Sequence, residues 1–149
     1  MKKFSFSLEK VLELKAYRER ESEIELGRAI GALTAVEQEI QDVAKKRVEA
    51  ASLRFLPGRK SAEIYNTDLY IIRLDKLKDK LFEDAAKAEL VVAAAREKYI
   101  EASRERKVLD KLREKRLQEY KKNLMNEEIK ELDDISNGRQ ARQSILGGS

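Results

Sequence analysis

Several residue types that enzymes rely on are missing from this sequence. It contains no cysteine and no histidine, which excludes disulfides and thiol chemistry and removes the commonest general base and transition-metal ligand. Tryptophan is absent too, and no apolar run approaches the length needed to span a bilayer. The few glycines form no phosphate-binding loop. We therefore expect a protein with no catalytic site, no metal site and no cofactor.

Charge is what the chain has in abundance. Charged residues make up 40% of it, with 32 lysines and arginines against 28 aspartates and glutamates, so the net charge is only +4. Interleaved charges of both signs, together with abundant alanine, leucine, glutamate and lysine, are typical of long solvated helices and coiled coils. Two lysines follow Met1, but the apolar segment of a signal peptide does not. We expect a cytoplasmic protein.

A single Pro-Gly pair divides the sequence. Pro57 is the only proline, and Gly58 beside it tolerates the backbone conformations of a tight turn. The pair predicts a first helix over about residues 8–55, a turn over about 56–67 and a second helix over about 68–137, with Ser61 as an alternative cap for an earlier start. The small and polar residues 139–149 are expected to form a disordered tail.

Apolar residues recur every three or four positions on both sides of the turn. This spacing predicts an all-α fold, a long antiparallel two-helix coiled-coil hairpin, as one domain over residues 1–138. On the first helix the predicted seam is Leu26, Ile30, Leu33, Val36 or Glu37, Ile40, Ala44, Val48, Ala51 and Phe55. On the second it is Tyr70, Leu74, Leu77, Leu81, Ala85, Ala88, Val92, Ala95, Tyr99 and Ala102, extended by Leu109, Leu117, Tyr120, Leu124 and Leu132. Because the second helix is longer, residues after about 110 should overhang without a partner in the chain.

Two clusters stand out against this regular pattern. Residues 104–122 hold nine basic and four acidic side chains, and residues 127–134 hold five acidic and one basic. They are either an ordinary solvated helix surface or a docking face for a protein of complementary charge. Near the turn, apolar and aromatic side chains crowd residues 65–72. They either close the turn or expose an apolar tip to another protein.

Both ends of the sequence resemble the FliJ family of bacterial flagellar export proteins. Residues 3–15, Lys-Phe-Ser-Phe-Ser-Leu-Glu-Lys-Val-Leu-Glu-Leu-Lys, are similar to the family's Phe-x-Phe-x-Leu-x-x-Val-Leu opening. Residues 105–112 and 128–135 resemble its closing pattern, a basic helix followed by Lys-x-Leu-Asp-Glu. Asp134 stands where that pattern has glutamate.

The resemblance implies a fold, a role and a set of partners. Members of the family are antiparallel coiled coils similar to the central stalk of rotary ATPases. The end with both termini enters the ring of the export ATPase, the region near the turn contacts the cytoplasmic domain of the membrane export gate, and the protein also escorts export chaperones. This implies a non-enzymatic, monomeric stalk in the cytoplasm, peripheral at the inner face of the membrane.

Candidate contact residues follow from placing the two clusters at those two ends. The ATPase end would use the cations Arg104, Arg106, Lys107, Lys111, Arg113, Lys115 and Arg116. The gate end would use the apolar anchors Tyr65, Tyr70 and Leu74, because large rigid side chains make good binding hot spots.

Other classes of function remain open at this point. A stalk protein of a type III injectisome shares the same plan. A generic coiled-coil scaffold or tether, dimeric if a second copy covers the overhang, has the same composition. We expect no nucleic-acid binding, because acidic residues interrupt the basic stretch and such binding needs a sustained positive field.

Overall fold

The computed structural model describes residues 2–147, and in them the chain forms two helices. Helix α1 spans Glu9–Arg54 and helix α2 spans Ser61–Leu146. The two pack against each other as a helical hairpin, and residues 2–147 contain no strand, so the predicted fold class is confirmed. Neither helix, over the residues described, has a stretch apolar and long enough to cross a membrane.

The turn between the helices is short. The last turn of α1 tightens at Phe55, whose N–H donates to the carbonyl of Ser52 at 3.3 Å, and Gly58 adopts a φ of 83° that favours glycine. The Arg59 guanidinium then donates to the carbonyl of Leu53 at 3.1 Å and to the hydroxyl of Thr67 at 3.2 Å. This arginine therefore ties the end of α1 to the first turns of α2.

Helix α2 is longer at both ends than the sequence pattern indicated. It begins at Ser61, the earlier of the two alternatives, because the Ile64 N–H already donates to the carbonyl of Lys60 at 3.1 Å. It also runs through Gly138 to Leu146 instead of ending at residue 137. One helical glycine costs only about 1 kcal/mol relative to alanine, and the residues after it are good helix formers. Of the expected disordered tail, residues 148 and 149 lie outside the described part of the chain.

The chain divides into two compact units, which we describe separately. The turn unit, residues 17–103, has a core of small and branched side chains in two clusters. The first cluster consists of Ala29, Val92 and Ala95, with Leu26 and Leu33 packed against it. The second consists of Val43, Leu74 and Leu81, with Val36 and Ile40 packed against it. Alanine in the first cluster lets the two helices approach closely there.

The buried face of α1 in the turn unit follows a strict seven-residue repeat. Ala29, Val43 and Ala50 are buried, whereas two residues of the predicted seam, Val48 and Phe55, are 68% and 82% exposed. After Ile40 the predicted seam was therefore one residue out of register with this repeat, as it also was at Ile30, which is 42% exposed beside the buried Ala29. On α2 the predicted seam is confirmed from Leu81 to Ala102, but Tyr70 and Leu77 before it are each 44% exposed.

Two arginines occupy seam positions of α1 in this unit. Arg47 lies between Val43 and Ala50 in the repeat, and its Nε is 2.6 Å from Oδ1 of Asp75 on α2. That carboxylate raises the pKa of the Arg47 guanidinium, first by accepting its hydrogen bond and then by charge attraction. Arg54, seven residues later, pairs with Asp68 at 3.5 Å. A long aliphatic stem lets arginine sit at a seam position and still place its charge in water.

The terminal unit comprises residues 2–16 and 104–147 of the described chain. Its buried side chains are Phe6 and Leu12. The segment before α1, residues 2–8, continues along α2: the Phe4 ring lies 5.6 Å from the Tyr120 ring between centroids. The Tyr120 hydroxyl also donates to the carbonyl of Lys2 at 2.6 Å. Since this segment covers α2 as far as Tyr120, the overhang begins later than residue 110.

Candidate partner-binding surfaces

The basic stretch of α2 is divided between two sides of the helix. Three of the predicted ATPase-end residues face the packed side of the terminal unit. Arg106 pairs with Asp110, and the Nε of Arg113 lies 2.9 Å from Oε2 of Glu9. The Arg113 guanidinium also lies 5.7 Å from the Phe4 ring centroid. These interactions serve the fold of the terminal unit.

Arg116 belongs to the same packed side. It donates to the Ser7 hydroxyl at 3.0 Å, and its guanidinium lies 5.6 Å from the centroid of the Phe6 ring. Arg113 and Arg116 therefore hold residues 4–9 against α2, whereas Arg106 is paired along α2 itself with Asp110.

The other four predicted cations form an outward basic face. Arg104, Lys107, Lys111 and Lys115 are all exposed, and their spacing of three, four and four residues puts them on one side of α2, opposite the packed arginines. Within residues 2–147 none of the four forms an ion pair. Their charges are therefore available to a partner.

Half of the acidic residues that interrupt this stretch are already engaged within the terminal unit. Glu105 accepts from the Lys15 ammonium at 2.8 Å, and Asp110 is paired with Arg106. Glu114 and Glu119 stay exposed and flank the outward basic face. The surface that a partner meets is consequently more basic than the sequence of residues 104–122 indicates.

Beyond the packed part of the terminal unit, α2 continues as a single exposed helix. Every residue from Met125 to Gly147 is exposed. Six large apolar side chains lie in this stretch: Ile145 and Leu146 at its end, and before them Met125, Ile129, Leu132 and Ile135, with exposed fractions of 64%, 49%, 66% and 56%. The sequence predicted an overhang with an apolar stripe, and the structure places its start after Leu124.

The three predicted gate-end residues do not form one surface. Tyr65 is exposed and shares a side of α2 with Leu69 and Ile72, at spacings of four and three residues. Tyr70 instead lines an open groove of about 400 Å³ that also includes Leu53 and Arg59. Leu74 is only 5% exposed and belongs to the core cluster with Val43 and Leu81. Its place in the repeat, seven residues before Leu81, explains why it is buried and unavailable to a partner.

Comparison with known families gives the chain an identity. The family model described as "Flagellar FliJ protein" matches residues 4–144, nearly the whole sequence. The chain belongs to the FliJ family. It is therefore a component of the flagellar protein export apparatus, in a family of non-catalytic components, and the resemblance seen at both ends of the sequence is confirmed. No curated protein and no solved structure matches it.

The FliJ match favours the flagellar assignment over an injectisome stalk. It associates the chain with the flagellar export machinery as a whole.

Sequence reasoning missed one exposed apolar feature of this FliJ-family chain. Phe55 and Leu56 at the turn are 82% and 53% exposed. The sequence pattern placed Phe55 in the seam. The signal was present in Pro57, because proline disfavours the helical backbone at Leu56 directly before it, so the helical spacing does not extend past Phe55.

Proposed function

We propose that this FliJ-family protein is a non-enzymatic stalk of the flagellar export apparatus. One end of the hairpin, the terminal unit, binds the ring of the export ATPase. The other end, near the turn, binds the cytoplasmic domain of the membrane export gate. The same protein escorts export chaperones in the cytoplasm and works peripherally at the inner face of the membrane. Family membership supports the export role in general, and the rest of the assignment is a proposal.

The observation that carries the ATPase-end proposal is the outward basic face. Four exposed cations lie on one side of a helix, and no ion pair among residues 2–147 engages them. Such a face steers a partner of opposite charge and contributes to the association rate. The proposal now excludes Arg106, Arg113 and Arg116 as primary contacts, because they are engaged within the terminal unit.

The gate-end proposal rests on aromatic and apolar exposure near the turn. Tyr65 is 65% exposed and Tyr70 is 44% exposed, and both lie within three turns of the start of α2. Tyrosine presents a large contact area at a low entropic cost, which suits a binding hot spot. Leu74 is no longer part of this proposal because it is a core residue.

The experiment measures binding to the export ATPase and stimulation of its activity. The variant Lys107→Glu, Lys111→Glu, Lys115→Glu should bind about tenfold or more weakly, with a flatter salt dependence, because charge steering is reversed. A matched control, Lys45→Glu, Lys80→Glu, Lys87→Glu, reverses three exposed lysines of the turn unit and should bind normally. Equal effects of the two triple variants would show only a response to net charge and would overturn the ATPase-end assignment.

A second measurement tests the gate end independently. The double variant Tyr65→Ala, Tyr70→Ala should lose binding to the gate domain while it still stimulates the ATPase. Tyr17→Ala is the control, since that tyrosine is 52% exposed but far along α1 from the turn. Normal binding of both partners by a folded double variant would refute the division between two ends and leave the hairpin fold untouched.

A further inference from the structure

We propose that the outward basic face continues into the exposed apolar residues of α2 after Leu124, and that together they form one docking surface. Its partner is an acidic, amphipathic face of the ATPase. This inference rests on the proposed function for the choice of partner. It adds a second recognition element, the apolar row Met125, Ile129 and Leu132, and it states the chemistry that the partner must present.

The helical spacing makes the two parts one surface. Lys122 follows Lys115 by seven residues, and Met125 follows Lys122 by three. Ile129 and Leu132 come after further steps of four and three. Residues at these separations lie on the same side of an α-helix, so cations occupy the first part of this side and large apolar side chains the second.

The apolar row is not a continuation of the packed side. That side passes through Tyr120 and Leu124 and then, at the same spacing, reaches Glu127 and Glu131, which are charged and exposed. A helix that simply extended the packing of α1 would therefore meet carboxylates. Ile135, four residues after Glu131, lies toward that packed side, whereas Met125, Ile129 and Leu132 lie on the opposite side. This row points to a separate partner that approaches the outward side of α2.

The charges of this surface define that partner. The cations of the outward side have no carboxylate partner among residues 2–147, so the matching surface carries carboxylates at that level. Next to the apolar row the flanking residues are acidic, Glu128 on one side and Asp133 on the other. An anionic lipid surface would be repelled there, which favours a protein whose carboxylates stop where its own apolar row begins.

The test separates the apolar row from the cations. The variant Met125→Gln, Ile129→Gln, Leu132→Gln keeps good helix formers and should bind the ATPase at least about tenfold more weakly, because each covered anchor is worth roughly that factor. Its salt dependence should match that of the native chain, since no charge is changed. The control Glu127→Gln, Glu131→Gln alters the other side of the same helix and should bind at least as well as the native chain.

Each outcome has a distinct meaning. Native-like binding by the apolar-row variant would overturn the inference while the proposed function stands. Failure of the native chain to bind the ATPase at all would remove the proposed function and the inference with it. A third outcome concerns vesicles in which about a quarter of the lipid is anionic. If the native chain binds them, and the apolar-row variant loses this binding but keeps ATPase binding, the surface belongs to the membrane and the inference is overturned. Circular dichroism of both variants confirms that the helix is intact.

Discussion

Truncating Leu74 to alanine separates a core role from a binding role at that residue. Its side chain is 5% exposed and packs with Val43 and Leu81. Leucine-to-alanine changes in protein cores cost about 2–5 kcal/mol, and the value depends on how far the site can collapse. The seam between two helices is one layer of side chains thick, so water and neighbouring side chains can fill the space. We therefore expect the lower part of that range, about 2–3 kcal/mol.

The measurement is urea unfolding followed by far-ultraviolet circular dichroism. With a denaturant dependence of about 2 kcal/mol per molar urea, the loss corresponds to a midpoint lower by about 1 M. Leu77→Ala is the matched control: it has the same chemistry, one turn away on the same helix, at a position that is 44% exposed. Its effect should stay below about 1 kcal/mol, since less apolar area is removed from contact. Similar midpoints for the two variants would refute the seam register derived from the structure.

Two further predictions address the terminal unit and a tyrosine of α1. Phe6→Ala should speed hydrogen exchange of the first amides of α1 and lower stability, because a buried ring is lost from the segment that covers α2; Phe55→Ala, at an 82% exposed position, should do neither. The nearby Glu21 carboxylate, by accepting a hydrogen bond and by its charge, raises the pKa of the Tyr17 hydroxyl above the usual 10.0. The contribution of the Tyr17–Glu21 interaction to folding stability is therefore fully present below pH 10. It is lost as pH rises through the raised pKa of Tyr17 in the folded state. A difference absorbance titration against Tyr17→Phe should show this late transition, and Glu21→Gln should move it down; no movement would refute the assignment.

The hairpin itself could be predicted from sequence because its determinants are local. A unique Pro-Gly pair stops a helix wherever it occurs, and the Gly58 φ of 83° shows that the glycine is used as expected. The helix limits were harder to predict, because the start signal of Ser61 is weak although α2 does begin there, and the stop signal of Gly138 is overridden by the helix formers that follow it. Arg59 in particular stabilises the early start of α2 through contacts with Leu53 and Thr67, and no local pattern reveals such contacts.

The candidate surfaces were predictable in composition but not in orientation. Residues 104–122 could be recognised as basic, yet only the seven-residue repeat assigns Arg113 to the packed side and Lys111 to the outward side. The predicted seam continued from Ile40 in steps of four residues and so included Val48, whereas the structure continues the repeat through Val43 and buries Ala50. In a narrow seam, the spacing between positions decides which side chain is covered, and hydrophobicity ranks second.

The seam pairs of Arg47 with Asp75 and of Arg54 with Asp68 also limit how this gene can change in length. Alanine, valine and leucine recur so evenly in the turn unit that sliding one helix by seven residues would bury similar apolar side chains. After such a slide, in either direction, one of the two arginines would meet no carboxylate at its level, since Asp68 and Asp75 are themselves seven residues apart. Polar residues at seam positions select one alignment in this way. An insertion or deletion on one helix is therefore tolerated only with a matching change on the other, and homologues of different length should differ by paired heptads.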